Sequence, residues 1–324
     1  MRGQHINILS DIFYLFINSG PALIHWLGLI GAALVTDLVI GGWIARIIPS
    51  IDRPFQTITD FLTQRLNRSG RSYAALRMRG AILVLAFTPL LWIAGKALNF
   101  LSETYPVAAV LCFIILLPLV GQKPIWLLIS SPTEQAATQI KTDAHTVPQR
   151  RAQKVTFHFA GTYLANITLV LLGGFAFLLP FRFLASWLSP KDALVHEKTG
   201  AFYKPPLFLH SIMAFPGVFI ACALLFLSRF FYPGTKLYPI ISTAPKPKQI
   251  PGSTYWPLAL MASGLGLNFK QTLLHPQKTI WIGPPNGTAK LTVTHLKKVW
   301  YLIVIATGFS YILFLMLYVY LING

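Results

Sequence analysis

Long apolar runs dominate this chain and limit it to folds that a membrane can hold. The runs cover residues 21–44, 81–98, 105–129, 155–188, 207–231 and 299–322. The fourth run is too long for one straight span, and Gly173, Gly174 and Pro180 are its candidate break points. Because a membrane helix needs roughly 20 apolar residues, the sequence predicts an all-α, polytopic membrane protein with about six transmembrane helices.

Composition supports the membrane and argues against nucleic acid. The chain is 54% hydrophobic and 11% charged, whereas soluble domains are about 25% charged. The formal net charge of +18 would suit a nucleic-acid partner. The cations are spread over several loops, however, without an aromatic-interleaved patch. We therefore expect no nucleic-acid partner, and we attribute the charge to membrane topology and to attraction for anionic lipid headgroups.

Three basic loops predict the orientation of one integral membrane domain, residues 1–324. They cover residues of about 45–80, 130–154 and 229–298, and the chain has no Asp or Glu after Glu197. Such loops face the cytoplasm. With six spans, the 189–206 loop falls outside despite its three lysines. If the fourth run is a hairpin, that loop moves inside and the 229–298 loop moves outside. We prefer the first arrangement, because the longer charge bias is the stronger one.

Shorter apolar or turn-forming segments predict features within the loops. Residues 6–17 suggest an interfacial helix, and residues 256–269 are too short to span comfortably, which favours a re-entrant or interfacial helix. Residues 282–287, with the sequence IGPPNG, predict a turn. Thr292 is positioned to cap a short helix that leads into the last span.

Few side chains in the sequence are candidates for catalysis or metal binding. Asp37 lies in the first apolar run, where it is either a functional intramembrane acid or an interfacial residue near a helix end at Gly41. No histidine pair has metal-ligand spacing, and we interpret His158 and His210, at or near span starts, as structural. The acid-free last third lacks hard-metal ligands. We predict no metal site.

Several short strings stand in a particular order along the chain. They are Asp37 with Gly41, then Pro54, Leu76–Arg77 with Gly80, Arg151–Ala152, His196–Glu197–Lys198, Leu265–Gly266 and Ile282–Gly283. Their order and spacing resemble those of the CobD/CbiB family, the membrane-bound adenosylcobinamide-phosphate synthases of cobalamin biosynthesis. The resemblance runs from about residue 32 to residue 300 and implies a multi-pass protein of the bacterial inner (cytoplasmic) membrane.

The chain departs from this family mainly at acidic positions. After the Arg-Ala pair the family carries glutamates, an Asn and an Asp, whereas this chain reads VTFHFAGTYLAN from Val155. The family's next Asn and Asp fall roughly at Ser186 and Ser189, and a later glutamate falls near Pro257 or Leu258. Its paired aspartates and asparagine become Leu209, His210 and Met213, ahead of Pro216.

These departures leave the activity open. The family joins aminopropanol phosphate to the carboxylate of adenosylcobyric acid, which requires a nucleotide and a divalent cation. If this activity is retained, the resemblance implies catalytic roles for Asp37, His196, Glu197 and Lys198. His196 would accept a proton, Glu197 would hold a cation and Lys198 would bind a phosphate. The competing interpretation of the last three is a solvated loop turn.

The loss of carboxylates favours a divergent, catalytically silent member with a binding or scaffolding role. Its expected partners are anionic lipid headgroups and a corrinoid or phosphorylated small molecule. Three alternatives remain: an AmpE-like, non-catalytic regulatory relative, an active synthase whose ligands have moved, and a transporter. No internal inverted repeat supports the transporter.

Overall fold

A computed structural model describes residues 20–47, 52–68, 70–120, 145–188, 197–235, 255–272 and 279–323, and it confirms the all-α prediction. Within these ranges the chain forms ten α-helices, a π-helical segment, a short 3-10 helix (Arg229–Phe231) and one small β-hairpin. The helices are α1 (Gly20–Ile47), α2 (Asp52–Leu66), α3 (Tyr73–Thr104), α4 (Pro106–Val120), α5 (Thr146–His158), α6 (Ala165–Gly173), α7 (Phe175–Leu188), α8 (Glu197–Ser228), α9 (Tyr255–Leu265) and α10 (Val293–Asn323). The predicted interfacial helix at 6–17 lies outside the described residues.

Four helices in the described part of the chain are long and apolar enough to cross a membrane. They are Tyr73–Thr104, Thr146–Gly173, Gly200–Phe231 and Val293–Asn323. Three shorter apolar helices accompany them: Ala22–Asp37, Pro106–Val120 and Phe175–Leu188. All six predicted runs therefore contain helix. The part of the third run that follows residue 120 lies outside the described residues.

The fourth run is a helical hairpin that turns at Gly174, one of its candidate break points, while the side of the membrane on which each loop lies stays a prediction. Helices α5 and α6 are continuous through the π-helical segment Phe159–Leu164 and end at Gly173, and α7 starts at Phe175. Gly174 between them has φ 62°, a backbone conformation that suits glycine and reverses the chain. Pro180, the other candidate break point, lies inside α7.

A single asparagine from α3 holds this reversal together. Asn99 donates from Nδ2 to the carbonyl of Gly173 at 2.8 Å and accepts at Oδ1 from the amide of Phe175, also at 2.8 Å. Asn99 is buried. It therefore satisfies the last carbonyl of one helix and the first amide of the next.

The α5–α6 helix lies at the centre of the bundle. About two-thirds of the most apolar stretch of this helix is buried inside the protein, whereas only 11% of the corresponding stretch of α3 is buried. Its buried residues Val155, Phe159 and Tyr163 join one core with residues of α1, α4, α8, α9 and α10. The outward faces of α3 and α10 carry exposed large apolar side chains, which is the arrangement expected of helices that face lipid.

The segment predicted to be re-entrant or interfacial is a buried helix followed by strands. In α9 the side chains of Leu258, Ala259 and Met261 are almost fully buried in the main core. Strand β1 (Phe269–Thr272) then pairs antiparallel with β2 (Thr279–Ile282). The predicted turn follows β2, and Thr292 directly precedes α10, which is one continuous helix rather than a short helix leading into a span.

Candidate functional site

Of the four site residues predicted from the sequence, the three that the structure describes lie on two different helices. Asp37 is half-buried in α1, within electrostatic range of Tyr311 on α10. Glu197 and Lys198 form the first turn of α8, which packs through Phe202 against Gly80 of α3. His196 lies outside the described residues, so a shared catalytic pocket for this set stays a prediction.

The strongest candidate site is an arginine inside the apolar helix α7. Arg182 is buried, with only 9% of its surface exposed. Its Nε donates to Oδ1 of Asp52 at 3.0 Å, and its Nη2 donates to Oδ2 of the same carboxylate. Asp52 is the first residue of α2 and reaches Arg182 from outside the apolar hairpin. A paired charge within an apolar helix is a functional candidate because isolated charges there are strongly unfavourable.

Two histidines complete a polar centre around Arg182. The guanidinium is within electrostatic range of both His158, at the end of α5, and His210, in α8. The ring of His210 stacks on Phe181, with 4.7 Å between ring centroids. The Nε2 atom of His158 is buried and has no hydrogen-bond partner among the described residues. We call Asp52, His158, Arg182 and His210 the Arg182 centre.

Local structure explains why these residues meet. His158 lies 16 residues before Gly174 and Arg182 lies eight residues after it, so only a reversal at Gly174 can bring the two side chains close. The π-helical segment starts immediately after His158, and such segments are frequent at functional sites. Phe183 anchors the same stretch of α7 by stacking on Phe87 of α3.

The Arg182 centre has donors for an anion and few ligands for a hard cation. Its one carboxylate, from Asp52, is already bound to Arg182 in a two-point hydrogen-bonded pair. Hard divalent cations require several oxygen ligands. Among the described residues, no group of three or more His, Cys, Asp or Glu side chains could hold a metal ion. The divalent cation that the family resemblance implies does not fit this donor set.

A second feature is an apolar groove between α1 and α10. Its volume is about 520 Å³. It is lined by Leu27, Gly28, Ile30, Gly31, Ala32, Leu34, Val35, Tyr311, Phe314, Leu315 and Tyr318. Asp37 interacts with one lining residue, Tyr311, but the walls provide no cluster of reactive groups. The groove therefore ranks below the Arg182 centre as a site for chemistry.

Sequence reasoning missed Arg182, although a signal was present. Arg182 is the one Asp, Glu, Lys or Arg residue in the run 155–188, and a charged residue in such a run marks a site by default. Its partner Asp52 stands 130 positions earlier, in a loop rich in arginine. No spacing rule connects two residues so far apart.

Comparisons with protein-family models, with curated proteins and with solved structures found no match for this chain.

Proposed function

We propose that this chain is a CobD/CbiB-like membrane protein of cobalamin biosynthesis that has lost synthase chemistry and acts by binding. The observation that supports the proposal is that the buried Arg182 is within electrostatic range of two stretches that we expect to be acidic in that family. One is the run that begins at Val155, which contains His158, and another is the stretch that contains His210. Both histidines are within electrostatic range of the Arg182 guanidinium.

This convergence has a direct chemical consequence. A synthase of this kind needs carboxylates that hold a divalent cation near the reacting phosphates. Here the same region holds a guanidinium, two imidazoles and a single carboxylate that is already paired. An arginine is suited to phosphate or carboxylate groups. The centre therefore favours binding of an anionic group over ligation chemistry that depends on a metal.

Other strings that carry the resemblance also come together. The Cβ of an alanine at Gly80 would lie 2.2 Å from the carbonyl oxygen of Phe202, so α3 and the start of α8 are in backbone contact. The string that ends at Gly80 therefore lies against the helix that begins with Glu197. Phe55, one residue after Pro54, packs onto the same cluster through Phe183. This grouping of strings that are distant in sequence supports the proposed relationship.

Complementation tests the proposed loss of catalysis. The chain is expressed in a bacterium that lacks its own CobD/CbiB synthase, and cobalamin-dependent growth is measured on cobyric acid without added cobinamide. We expect no growth, with the protein verified in the cytoplasmic membrane by immunoblotting. Growth that disappears with Glu197→Ala would show an active synthase and refute the proposed loss of chemistry.

Corrinoid binding tests the retained role. The purified protein in detergent is dialysed against cobyric acid or cobinamide phosphate, whose visible absorbance reports the bound fraction. We expect Arg182→Met to weaken binding by about tenfold, as expected for the loss of a charged hydrogen-bonding group. Lys96→Met, on the exposed surface of α3, serves as the matched control and should leave binding unchanged. Absence of corrinoid binding by the unaltered protein would exclude the pathway assignment.

The second candidate is an AmpE-like regulatory protein, favoured by the same scarcity of carboxylates at the Arg182 centre. It predicts neither growth in the complementation assay nor corrinoid binding. A neighbouring muropeptide amidase gene would support it, whereas neighbouring cobalamin genes would support the first proposal.

A further inference from the structure

A basic elbow joins the amphipathic helix α2 to the spanning helix α3. It consists of α2, residues 67, 68 and 70–72 of the connection, and the first two turns of α3. The exposed arginines of this elbow are Arg53, Arg65, Arg68, Arg71 and Arg77. Asp60 is the one exposed acid among its described residues. Since α3 enters its apolar stretch directly after Arg79, the elbow must lie at a membrane surface.

Helix α2 has two apolar faces, of which one has no protein partner in the described structure. The inward face packs on α7 and its neighbours through residues spaced at helical intervals, namely Phe55, Thr59, Leu62 and Leu66. The outward face carries Ile58 and Phe61, which are 42% and 52% exposed. Arg65, one turn further along this face, places its guanidinium over the Phe61 ring at 4.4 Å.

The elbow is held in a defined shape. Arg79 donates from Nη1 to the carbonyl of Leu66 at 3.1 Å and so joins the end of α2 to the start of α3. The hydroxyl of Ser72 accepts from the amide of Ala75 and caps α3. Lys204 of α8 lies over the exposed Tyr73 ring at 5.0 Å. Cations and apolar side chains are consequently fixed together on one surface.

We propose that this elbow is a binding site for the headgroups of anionic phospholipids, with Ile58 and Phe61 inserted among the acyl chains. The five arginines supply charge for lipid phosphates. A helix with an exposed apolar stripe beside arginines lies in the membrane interface. The direct continuation into α3 ensures that lipid surrounds the elbow. This site is independent of the corrinoid binding proposed above.

Lipid titration of the intact protein tests the site. The full chain in uncharged detergent micelles is titrated with fluorescent phosphatidylglycerol and, separately, with phosphatidylcholine that carries the same chains. The variant Arg65→Gln/Arg68→Gln/Arg71→Gln removes three charges from the elbow. Each arginine near a membrane surface contributes on the order of fivefold to affinity. We therefore expect the triple variant to bind phosphatidylglycerol at least about tenfold more weakly, with phosphatidylcholine binding unchanged.

A charge-matched control separates a defined site from diffuse attraction. The variant Lys290→Gln/Lys297→Gln/Lys298→Gln also removes three charges beside a spanning helix, at the start of α10, and it should bind phosphatidylglycerol within about twofold of the unaltered protein. A double variant, Ile58→Ser/Phe61→Ser, should weaken the binding of both lipids because insertion does not depend on the headgroup.

Three results would overturn the proposal. The first is equal affinity of the unaltered protein for both lipids. The second is an equal loss of phosphatidylglycerol binding in the two triple variants. The third is displacement of the lipid by free glycerol phosphate as readily as by unlabelled phosphatidylglycerol, which would make a soluble phosphate the ligand. Circular dichroism and size-exclusion chromatography establish that each variant is folded.

Discussion

Replacing Asp52 and replacing Arg182 should lower the free energy of unfolding by different amounts, although the two residues form one ion pair. The Arg182 side chain is 11% exposed and the Asp52 side chain is 22% exposed. Asp52→Asn therefore leaves a guanidinium in an apolar helix with its counter-charge gone. Arg182→Met instead leaves a carboxylate that is nearer to solvent and lies in the first turn of α2, where the helix dipole stabilises a negative charge.

The magnitudes follow from these environments. Loss of one partner from a buried ion pair typically destabilises a protein by 3–5 kcal/mol, and partial exposure places Asp52→Asn at the lower end, about 3 kcal/mol. Arg182→Met should lower the free energy of unfolding by only about 1–2 kcal/mol, because methionine fills much of the volume and Asp52 can be solvated. The double variant should resemble Arg182→Met alone, which implies a coupling of about 3 kcal/mol between the two sites, equal to the whole loss in Asp52→Asn.

The assay is unfolding of the purified protein by SDS in mixed micelles, followed by circular dichroism. All four proteins of the cycle are measured at the same micelle composition. Equal losses for the two single variants would refute the assignment of Arg182 as the more deeply buried partner. Additive losses would show that the two residues do not interact across α2 and α7.

Three further predictions concern helix packing, and the same SDS titration measures each of them. Gly174→Ala should lower the free energy of unfolding by about 2 kcal/mol or more, because alanine disfavours φ 62°. Asn99→Leu should have a comparable effect, since it orphans a buried amide and a buried carbonyl at the α6–α7 reversal. Gly80→Ala should destabilise by about 1–3 kcal/mol by forcing α3 away from the backbone of Phe202. Gly28→Ala, with open space around its Cβ position, is the matched control and should be neutral or slightly stabilising, because alanine favours the helix.

The sequence could predict the helices because a membrane imposes a strong and local rule. A run of apolar residues long enough to cross must be helical, since lipid offers no partner for backbone amides and carbonyls. The reversal at Gly174 was also visible as a glycine pair in an overlong run. Whether the helix breaks at this glycine pair or continues depends on Asn99, whose hydrogen bonds to Gly173 and Phe175 stabilise the reversal. That contact connects residues about 75 positions apart and leaves no local pattern.

The β-hairpin and the burial of α9 escaped prediction for a different reason. Residues 256–269 are apolar on every side, so their sequence does not distinguish a helix buried in protein from one buried in lipid. In the structure α9 is buried in the protein core, and the buried guanidinium of Arg229 donates to the Leu260 carbonyl and to the Ser263 hydroxyl of this helix. A cation directly after α8 thus stabilises the C-terminal half of α9, toward which the negative end of the helix dipole lies.

Arg182 and Arg229 are two buried cations with different kinds of partner, in a chain that has few acidic residues. Arg182 receives its counter-charge from Asp52, on a helix outside the hairpin. Arg229 lies in the acid-free last third of the sequence, and its Nη2 donates to a carbonyl and a hydroxyl instead, while its buried Nε has no partner among the described residues. Such dipoles leave an arginine charged, whereas a carboxylate both neutralises it and can be displaced by another anion. Of the two, Arg182 is therefore the arginine at which we propose that an external phosphate or carboxylate competes, and the two histidines within its electrostatic range make that exchange the function to test first.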